Sequence, residues 1–388
     1  MPATFRANSA RIIITGGDNA IPATPTVLRL PATQVTLDLS EDGETANRLG
    51  NGVEPSREIL SGVKNISSNI ELQLNYHTAA FALGISVGRE DSVESNEGDW
   101  SDGATVTAGQ ILKGTTPATD DLYCVSGGTT GAIAPDTSSL LDGETIDDNG
   151  VVWAVSKSRL KEVVSGINPC LSAIAIEYEF QDCDGNLMYM RTLGNSAASF
   201  ATNFEKKTVP KVTVATNGSV YEDDLDPLIA YEKMMDIAGA TEIVIDEGYN
   251  VRNSNLGMSI GASATYAIVT MSLNSDNAQG TIDPLNQDRF FTTGVRNVSG
   301  SLTGWFDEDM YNTMVKNLDS NLLISYDDGL GNYLSFTLPT VTFPLKSPTF
   351  EAGMQSKLDA DYKAYGETGS IAASAFQYKV RSTQVLNS

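Results

Sequence analysis

The chain has 388 residues, 41% of them apolar, which argues against wholesale disorder and allows two or three domains at about 150 residues each. Its 49 acidic residues against 25 Lys and Arg leave a formal charge of −24, a surface that repels nucleic acid and anionic membranes and is the wrong sign for a conventional DNA-binding domain. Three cysteines are too few for a disulfide framework, and Cys170 and Cys183 read either as a pair across a hairpin or as free buried thiols.

In chain order, "MPATFRANSARIIITGG" lacks the apolar stretch of a signal peptide, and no apolar run reaches membrane-spanning length. A soluble protein not exported by the usual route is expected. "ITGGDNA" (Ile14–Ala20) has no G-x-G-x-x-G and does not read as a nucleotide site. Alternating, β-branched segments predict strands at Gln34–Ser40 and Ile70–Tyr76, then a short helix at His77–Leu83. His77 reads as a helix-start residue in a packed setting. Further strands are predicted at Ala173–Phe180 and Leu187–Thr192, joined by the turn signal "DCDGN", with "SAASFATNF" continuing the alternation. Asp226 as cap and Pro227 in the first turn predict a linking helix over 226–239, with Leu228, Ile229, Met234, Met235 and Ile237 as its apolar surface. Strands follow at Tyr266–Asn274 and Val298–Trp305. A helix capped by Asp307 would carry Met310, Met314, Val315 and Leu318 on one face. The last predicted strands are Leu322–Tyr326 and Tyr333–Leu338, around the turn signal "DDGLGN", followed by "VTFPLKSPTF".

These elements come in two sets. "SGVKNISSNIEL" (Ser61–Leu72) matches "TGVRNVSGSLTGW" (Thr293–Trp305), with Gly62, Val63, Asn65, Ile66, Ser67 and Ile70 facing Gly294, Val295, Asn297, Val298, Ser299 and Leu302. Lys64 faces Arg296. Upstream, "QVTLDLSED" resembles "IVTMSLNSD" through Val35/Val269, Thr36/Thr270 and Leu39/Leu273; downstream, "DGNLMYMRT" resembles "LGNYLSFTL". Three matches in one order predict a duplicated unit. The expected fold is mainly β: two tandem β-sandwich or small-barrel domains, 1–220 and 221–388, each with a packed helix.

The sets differ in one connection. Where the second has a few residues, the first has Glu90–Leu160, rich in Gly, Thr, Ser and Asp. A small all-β module over 97–156 is expected there, mounted on the surface. It resembles the Trp-to-"DGxxW" modules of phage fibres and carbohydrate-binding tails, and Trp100, Tyr123 and Trp153 are its candidate surface residues. A spacer without a ligand is the competing reading.

Catalytic signals are weak. "GMSIG" (Gly257–Gly261) fits G-x-S-x-G with Ser259 as nucleophile, but the one histidine, His77, precedes it, and a strand rather than a helix follows. "DCDGN" lacks the Glu a calcium loop needs, since the position eleven beyond Asp182 is Leu193. No zinc constellation, cofactor site or catalytic residue is expected.

"GSLTGWFDEDMYNTMVKNL", "PTVTFPLKSPTFEAGMQSKLDADYKAYG" and "SREILSGVKNISSNIELQLNY" resemble tail tube proteins of long-tailed bacteriophages. The resemblance implies a structural protein of the virion tail, assembled in the host cytoplasm, and not an enzyme. It implies stacked rings around a DNA channel, six tube domains to a ring, with inner sheets joined into one barrel. With two domains per chain, a homotrimer would form the pseudo-hexameric ring. Other expected partners are the tape measure, tail terminator, and baseplate or distal tail proteins; double-stranded DNA would pass without being bound, and no membrane is involved. In the family a long loop between early strands reaches a neighbouring subunit or ring. The matching stretches offer Glu44, Arg48, Glu54 and Arg57, and Asp276, Asp283 and Arg289. Strand alternation with Ile70, Leu72 and Leu74 inward makes Glu71, Gln73, Asn75, Ser301 and Thr303 the lumen-facing candidates. The alternative is a capsid-decoration or fibre-type protein whose module binds carbohydrate.

Overall fold

The computed structural model describes residues 6–14, 20–30, 32–41, 44–48, 56–60, 64–88, 93–165, 173–181, 187–205, 208–223, 231–244, 251–252, 256–261, 263–264, 268–282, 290–292, 294–305, 320–344, 357–366 and 374–382. The fold is mainly β. It opens with β1 (Arg6–Ile14), β2 (Thr26–Leu30), β3 (Ala32–Glu41), β4 (Glu44–Arg48), β5 (Ser56–Leu60) and β6 (Lys64–Gln73). The single described helix, α1 (Tyr76–Val87), follows. Eight short strands come next: β7 (Val93–Glu94), β8 (Thr105–Val106), β9 (Ile111–Lys113), β10 (Asp121–Ser126), β11 (Gly128–Thr129), β12 (Thr145–Asp148), β13 (Val151–Ser156) and β14 (Lys161–Val164). The chain returns through β15 (Ile174–Gln181), β16 (Leu187–Glu205), β17 (Lys211–Gly218), β18 (Val220–Asp223) and β19 (Thr241–Val244). It continues with β20 (Leu256–Ile260), β21 (Ser263–Ala264), β22 (Ile268–Asp276), β23 (Gly280–Ile282), β24 (Phe290–Thr292) and β25 (Asn297–Trp305). The last strands are β26 (Ser320–Asp327), β27 (Tyr333–Thr342), β28 (Lys357–Ala364) and β29 (Gln377–Ser382).

One antiparallel pairing scheme occurs twice. In the first set β2–β1–β15–β16 continues to β18, and β16 also leads through β17 and β6 to β3. In the second, β21–β20–β26–β27 continues to β29, and β27 leads through β28 and β25 to β22. The hairpins β4–β5 and β23–β24 occupy the same place in each order. The register corrects the sequence match by one pleat. Val35 faces Ile70 and Met271 faces Leu302, so Met271, not Val269, is the counterpart of Val35. A shift of two residues keeps every side chain on its face, which is why the pattern alone missed it.

The 19-residue β16 joins the layers. Its first half pairs with β15 and β18; its second half pairs with β17 and β22. The strand turns the corner at Gly194, whose φ of 61° suits a residue without Cβ. Asn195 secures the bend by donating to the Ile174 and Thr192 carbonyls at 2.9 and 2.8 Å. The result is one continuous inner sheet in the order β3-β6-β17-β16-β22-β25-β28. Its strands alternate cleanly: in β28, Leu358, Ala360, Tyr362 and Ala364 point inward while Lys357, Asp359, Asp361 and Lys363 point out. Gly300 is required where Tyr362 crosses β25. A Cβ there would collide with the Ser272 carbonyl and the Tyr362 hydroxyl, which are themselves hydrogen-bonded at 2.7 Å.

A single core lies behind this sheet, with Ile70, Leu72, Leu74, Phe200 and Phe204 from the first set and Leu302, Tyr326, Phe336 and Phe376 from the second. Phe336 stacks on Phe376 at 6.1 Å and meets Phe204 at 5.7 Å. Helix α1 runs through this core with every residue but Gly84 buried, as expected of a helix that is apolar all round. Asn75 caps it, its side chain accepting from the His77 amide at 2.7 Å.

The linking helix predicted over 226–239 is not formed in its described part, 231–240, which makes turns. The Met234 amide donates to the Glu177 carboxylate at 3.0 Å instead of to a helical carbonyl, and Gly239 takes a φ of 82°. Met234 is buried against Val27, Ala175 and Leu193, and β19 runs parallel to β2, so the segment is strapped to the first set. The helix predicted from Asp307 lies outside the described residues. Because both sets share one core, Phe336→Ala is expected to cost about 3–5 kcal/mol. In a chain whose module residues 97–156 are replaced by a short linker, which leaves Trp305 of β25 as the one tryptophan, circular dichroism and tryptophan fluorescence should lose native signal in one coincident denaturant transition rather than two.

Candidate functional site

The outward face of the inner sheet is the largest feature that the repeat builds in common. Cross-strand partners carry it from strand to strand: Gln34, Glu71, Thr213 and Ala201 line up, then Asn274, Ser299 and Lys363. The predicted positions Glu71 and Gln73 on β6 and Ser301 and Thr303 on β25 lie on this one face, brought together across β17, β16 and β22. Ser301 pairs with Ser272 at 2.9 Å and Thr303 donates to Asp359 at 2.6 Å. Asn75 departs from the expectation. It is buried as the cap of α1, because the strand ends two residues before it.

Short polar side chains dominate the face. Its described charges are Asp38, Glu71, Glu205, Asp276, Asp359 and Asp361 against Lys211, Lys357 and Lys363, with no arginine. The Lys211 ammonium, 2.7 Å away, and then the Thr33 hydroxyl at 2.6 Å hold the Glu71 carboxyl below its ordinary value. Three lysines set among carboxylates leave the surface net negative, so it offers no run of cations to a phosphate backbone.

The equivalent strands of the two sets, β22 and β3, are unlike. On β22 the inward row Met271, Leu273 and Ser275 is buried, because β16 pairs along its outer edge. The same row on β3 is Val35, Leu37 and Leu39. Among the described residues β3 pairs with β6 alone; Val35 and Leu37 are half-buried and Leu39 is 43% exposed. An unpaired strand edge with apolar side chains showing is a template for another strand.

Of the predicted loop residues, Glu44, Arg48 and Arg57 fall in the β4–β5 hairpin, where Asn47 faces Arg57 and Arg48 faces Ser56. Asp276 ends β22 and accepts from the Ala278 amide at 2.9 Å. Glu54, Asp283 and Arg289 lie outside the described residues, as do Cys170 and Cys183.

The module has a core of its own: Val106, Leu112, Leu122, Cys124, Val151, Trp153 and Val155. Two of its three aromatics are not surface residues, and the third is half-buried. Trp153 and Tyr123 are buried, and Trp100 packs against the core. Both indoles donate to Asp148, at 3.0 Å from Trp100 and 3.3 Å from Trp153. The rings that would stack on a sugar are thus used to close a small hydrophobic unit, the fate of aromatics where apolar residues are scarce. Nor is the module a free appendage. Its ends meet where β7 pairs with β14, and β14 pairs on its other side with β29. The Arg381 guanidinium lies 5.7 Å from the Tyr123 ring and 5.9 Å from that of Tyr333, with its Nε donating to the Gly331 carbonyl at 2.7 Å.

Ser259 sits inside β20, paired with β26 and β21, and not at a strand-to-helix turn; His77 is buried in α1. Among the described residues no group of three or more His, Cys, Asp or Glu could hold a metal ion, and no helix is long and apolar enough to cross a membrane. No family model matches the chain, and no curated protein matches it.

At the module's base, burial pushes the Asp121 carboxyl up, opposed by Arg159 and by the Leu160 amide at 2.8 Å. A raised acid favours folding below its unfolded value and loses that contribution as pH rises through the folded one. Arg159→Met removes the opposing cation. The module should lose about 3–5 kcal/mol at neutral pH. Thermal unfolding of variant and parent should converge as the pH falls through the ordinary Asp range.

Proposed function

We propose that this chain is a tube-building subunit of a long-tailed bacteriophage tail: a structural protein, not an enzyme, three copies of which close a pseudo-sixfold ring. The observation that carries this reading is the internal seam. There β22 of the second set adds edge to edge onto β16 of the first, with Ser199–Glu205 facing Asp276–Thr270. Among the described residues the same edge of the first set, β3, is open and half-covered. One more rotation of the same kind fills it with the second set of a neighbouring chain, and a heterologous contact whose rotation closes gives a ring. Three chains supplying the seven inner-sheet strands each make a barrel whose backbone diameter is about 42 Å, for a strand spacing of ~4.8 Å and a tilt of ~40°. That leaves a channel wide enough for duplex DNA.

The sheet's polar, net acidic face then lines the channel. DNA passes without being held, because the wall repels phosphate along its length. Screening over about 8 Å at physiological salt means that only charge on the wall itself can act this way. Rings stack through the hairpins, β4–β5 and β23–β24. The tape measure, tail terminator, and distal tail or baseplate proteins are the neighbours in the virion; assembly takes place in the host cytoplasm, with no membrane involved.

Electron microscopy of the purified chain should reveal rings or hollow polymers with three chains per ring; six chains per ring, or a monomer at high concentration, overturns the reading. Leu39→Lys puts a charge on the open edge without touching the shared core. It should stay folded and assemble at least tenfold less. The module has its own core and adjacent ends, so replacing residues 97–156 by a short Gly/Ser linker should leave assembly intact. A folded deletion variant that fails to assemble would make the module part of the ring contact.

A further inference from the structure

The internal seam has a second fastening away from the sheet. A helix C-terminus leaves carbonyls without intrahelical donors and carries partial negative charge. In α1 those carbonyls are met by side chains of the second set. Asn277 Nδ2 donates to the Ser86 carbonyl at 2.8 Å, Arg296 Nη2 to Val87 at 2.7 Å, and the Tyr378 hydroxyl to Gly88 at 3.1 Å. The first two are linked, Arg296 Nε donating to Asn277 Oδ1 at 3.2 Å. Asn277 also grips β16: its side chain donates to the Ala197 carbonyl and its amide to that of Ala198, both at 2.9 Å. Its own carbonyl accepts from Gly294 at 3.0 Å. Gly294 can come this close because it has no Cβ; one would sit 2.5 Å from the Ala278 carbonyl oxygen. Gly294 and Arg296 are two residues of the repeated phrase "TGVRNVSG".

A sheet ladder alone fixes register but not angle. Adjacent strands twist by anything from about −10° to −35°. Three bonds to the end of a buried helix, off the sheet plane, remove that freedom. We propose that Arg296 and Asn277 are the positioning residues of the internal seam, holding the second strand set at the one rotation from the first that lets a ring of three chains close. The ring clause rests on the function proposed above. Burial pulls the Arg296 guanidinium below its ordinary value while leaving it a cation, and its place against carbonyls at a helix C-terminus is where a buried cation is best tolerated.

The test measures the angle directly. Spin labels are carried on a ketone-bearing amino acid at Thr36 of β3 and Asp361 of β28, both exposed, on the outermost strands of the inner sheet. Six strand gaps of ~4.8 Å separate them, about 29 Å. Double electron–electron resonance is recorded on labelled chain diluted into unlabelled chain. The parent should give one narrow distance. Arg296→Met should at least double the width and reduce closed rings in electron micrographs at least tenfold. Arg296→Lys, which keeps the charge but cannot bridge to Asn277, should fall between. Leu122→Ala, a destabilising change inside the module core, should leave the width unaltered, which separates positioning from mere stability. Should Arg296→Met fail to fold, Tyr378→Phe removes only the hydroxyl bond to Gly88 and should broaden the distance by a smaller factor. An unchanged width in the folded variants overturns the proposal. Rings that form normally beside an unchanged width leave the tube reading standing without it. A width that responds in a chain that never forms rings supports the positioning role and rejects the ring clause with the functional reading.

Discussion

The structure depends on one strand serving two sheets. β16 enters as part of the outer sheet beside β15 and β18, turns at Gly194, and leaves as a central strand of the inner sheet between β17 and β22. A turn within a strand costs ladder bonds, and buried backbone groups must find other partners. Asn195 supplies them from its side chain. Once the corner is made, Phe200 and Phe204 are aimed into the space where Phe336 and Phe376 arrive from the other set. The two strand sets therefore share one core.

Much of this was legible in the sequence, because strand alternation is a local signal. "IELQ" alternates so regularly that its inward and outward residues are read without knowing the partner strands; "KLDADYKA" alternates as regularly, although no strand is predicted there. The repeated phrase pointed to equivalent strands, and four of the five lumen candidates fall on one face. The register did not follow, since a slip of two residues leaves alternation intact. Asn75 was misread because alternation was carried two residues past the end of the strand, although Asn before an apolar run is also a helix cap.

Other misses have different causes. The segment 231–240 has the composition of a helix, but Glu177 and the apolar pocket of Val27, Ala175 and Leu193 compete for its amide and its Met234, and tertiary partners outweigh propensity of a few tenths of a kcal/mol per residue. Trp and Tyr in the module carried no signal of exposure. An aromatic beside several Gly and Asp residues fits a sugar platform and a miniature core equally well, and only the carboxylate of Asp148 between two indoles distinguishes them. The helix-end fastening joins residues far apart in the chain, and no local pattern predicts such contacts. Its trace in sequence was the Gly294 and Arg296 of the repeated phrase.

That distance has a consequence for how the protein is made. Tyr378 bonds to a carbonyl 290 residues earlier, that of Gly88, and its backbone amide to the Ser165 hydroxyl, 213 residues earlier. At about 5–20 residues per second, a ribosome needs roughly 15–60 s to extend the chain from α1 to its last partner. The end of α1 waits 191 residues for Asn277, 209 for Arg296 and 290 for Tyr378, and Phe200 and Phe204 lack their ring partners until Phe336 and Phe376 are made, much longer than the microseconds in which hairpins form. Folding of the first half is therefore a holding state, completed only when the final strand has been synthesised. A nascent chain of this topology is a natural client for a chaperone that shields strand edges, and truncation near the C-terminus would harm the first half as much as the second.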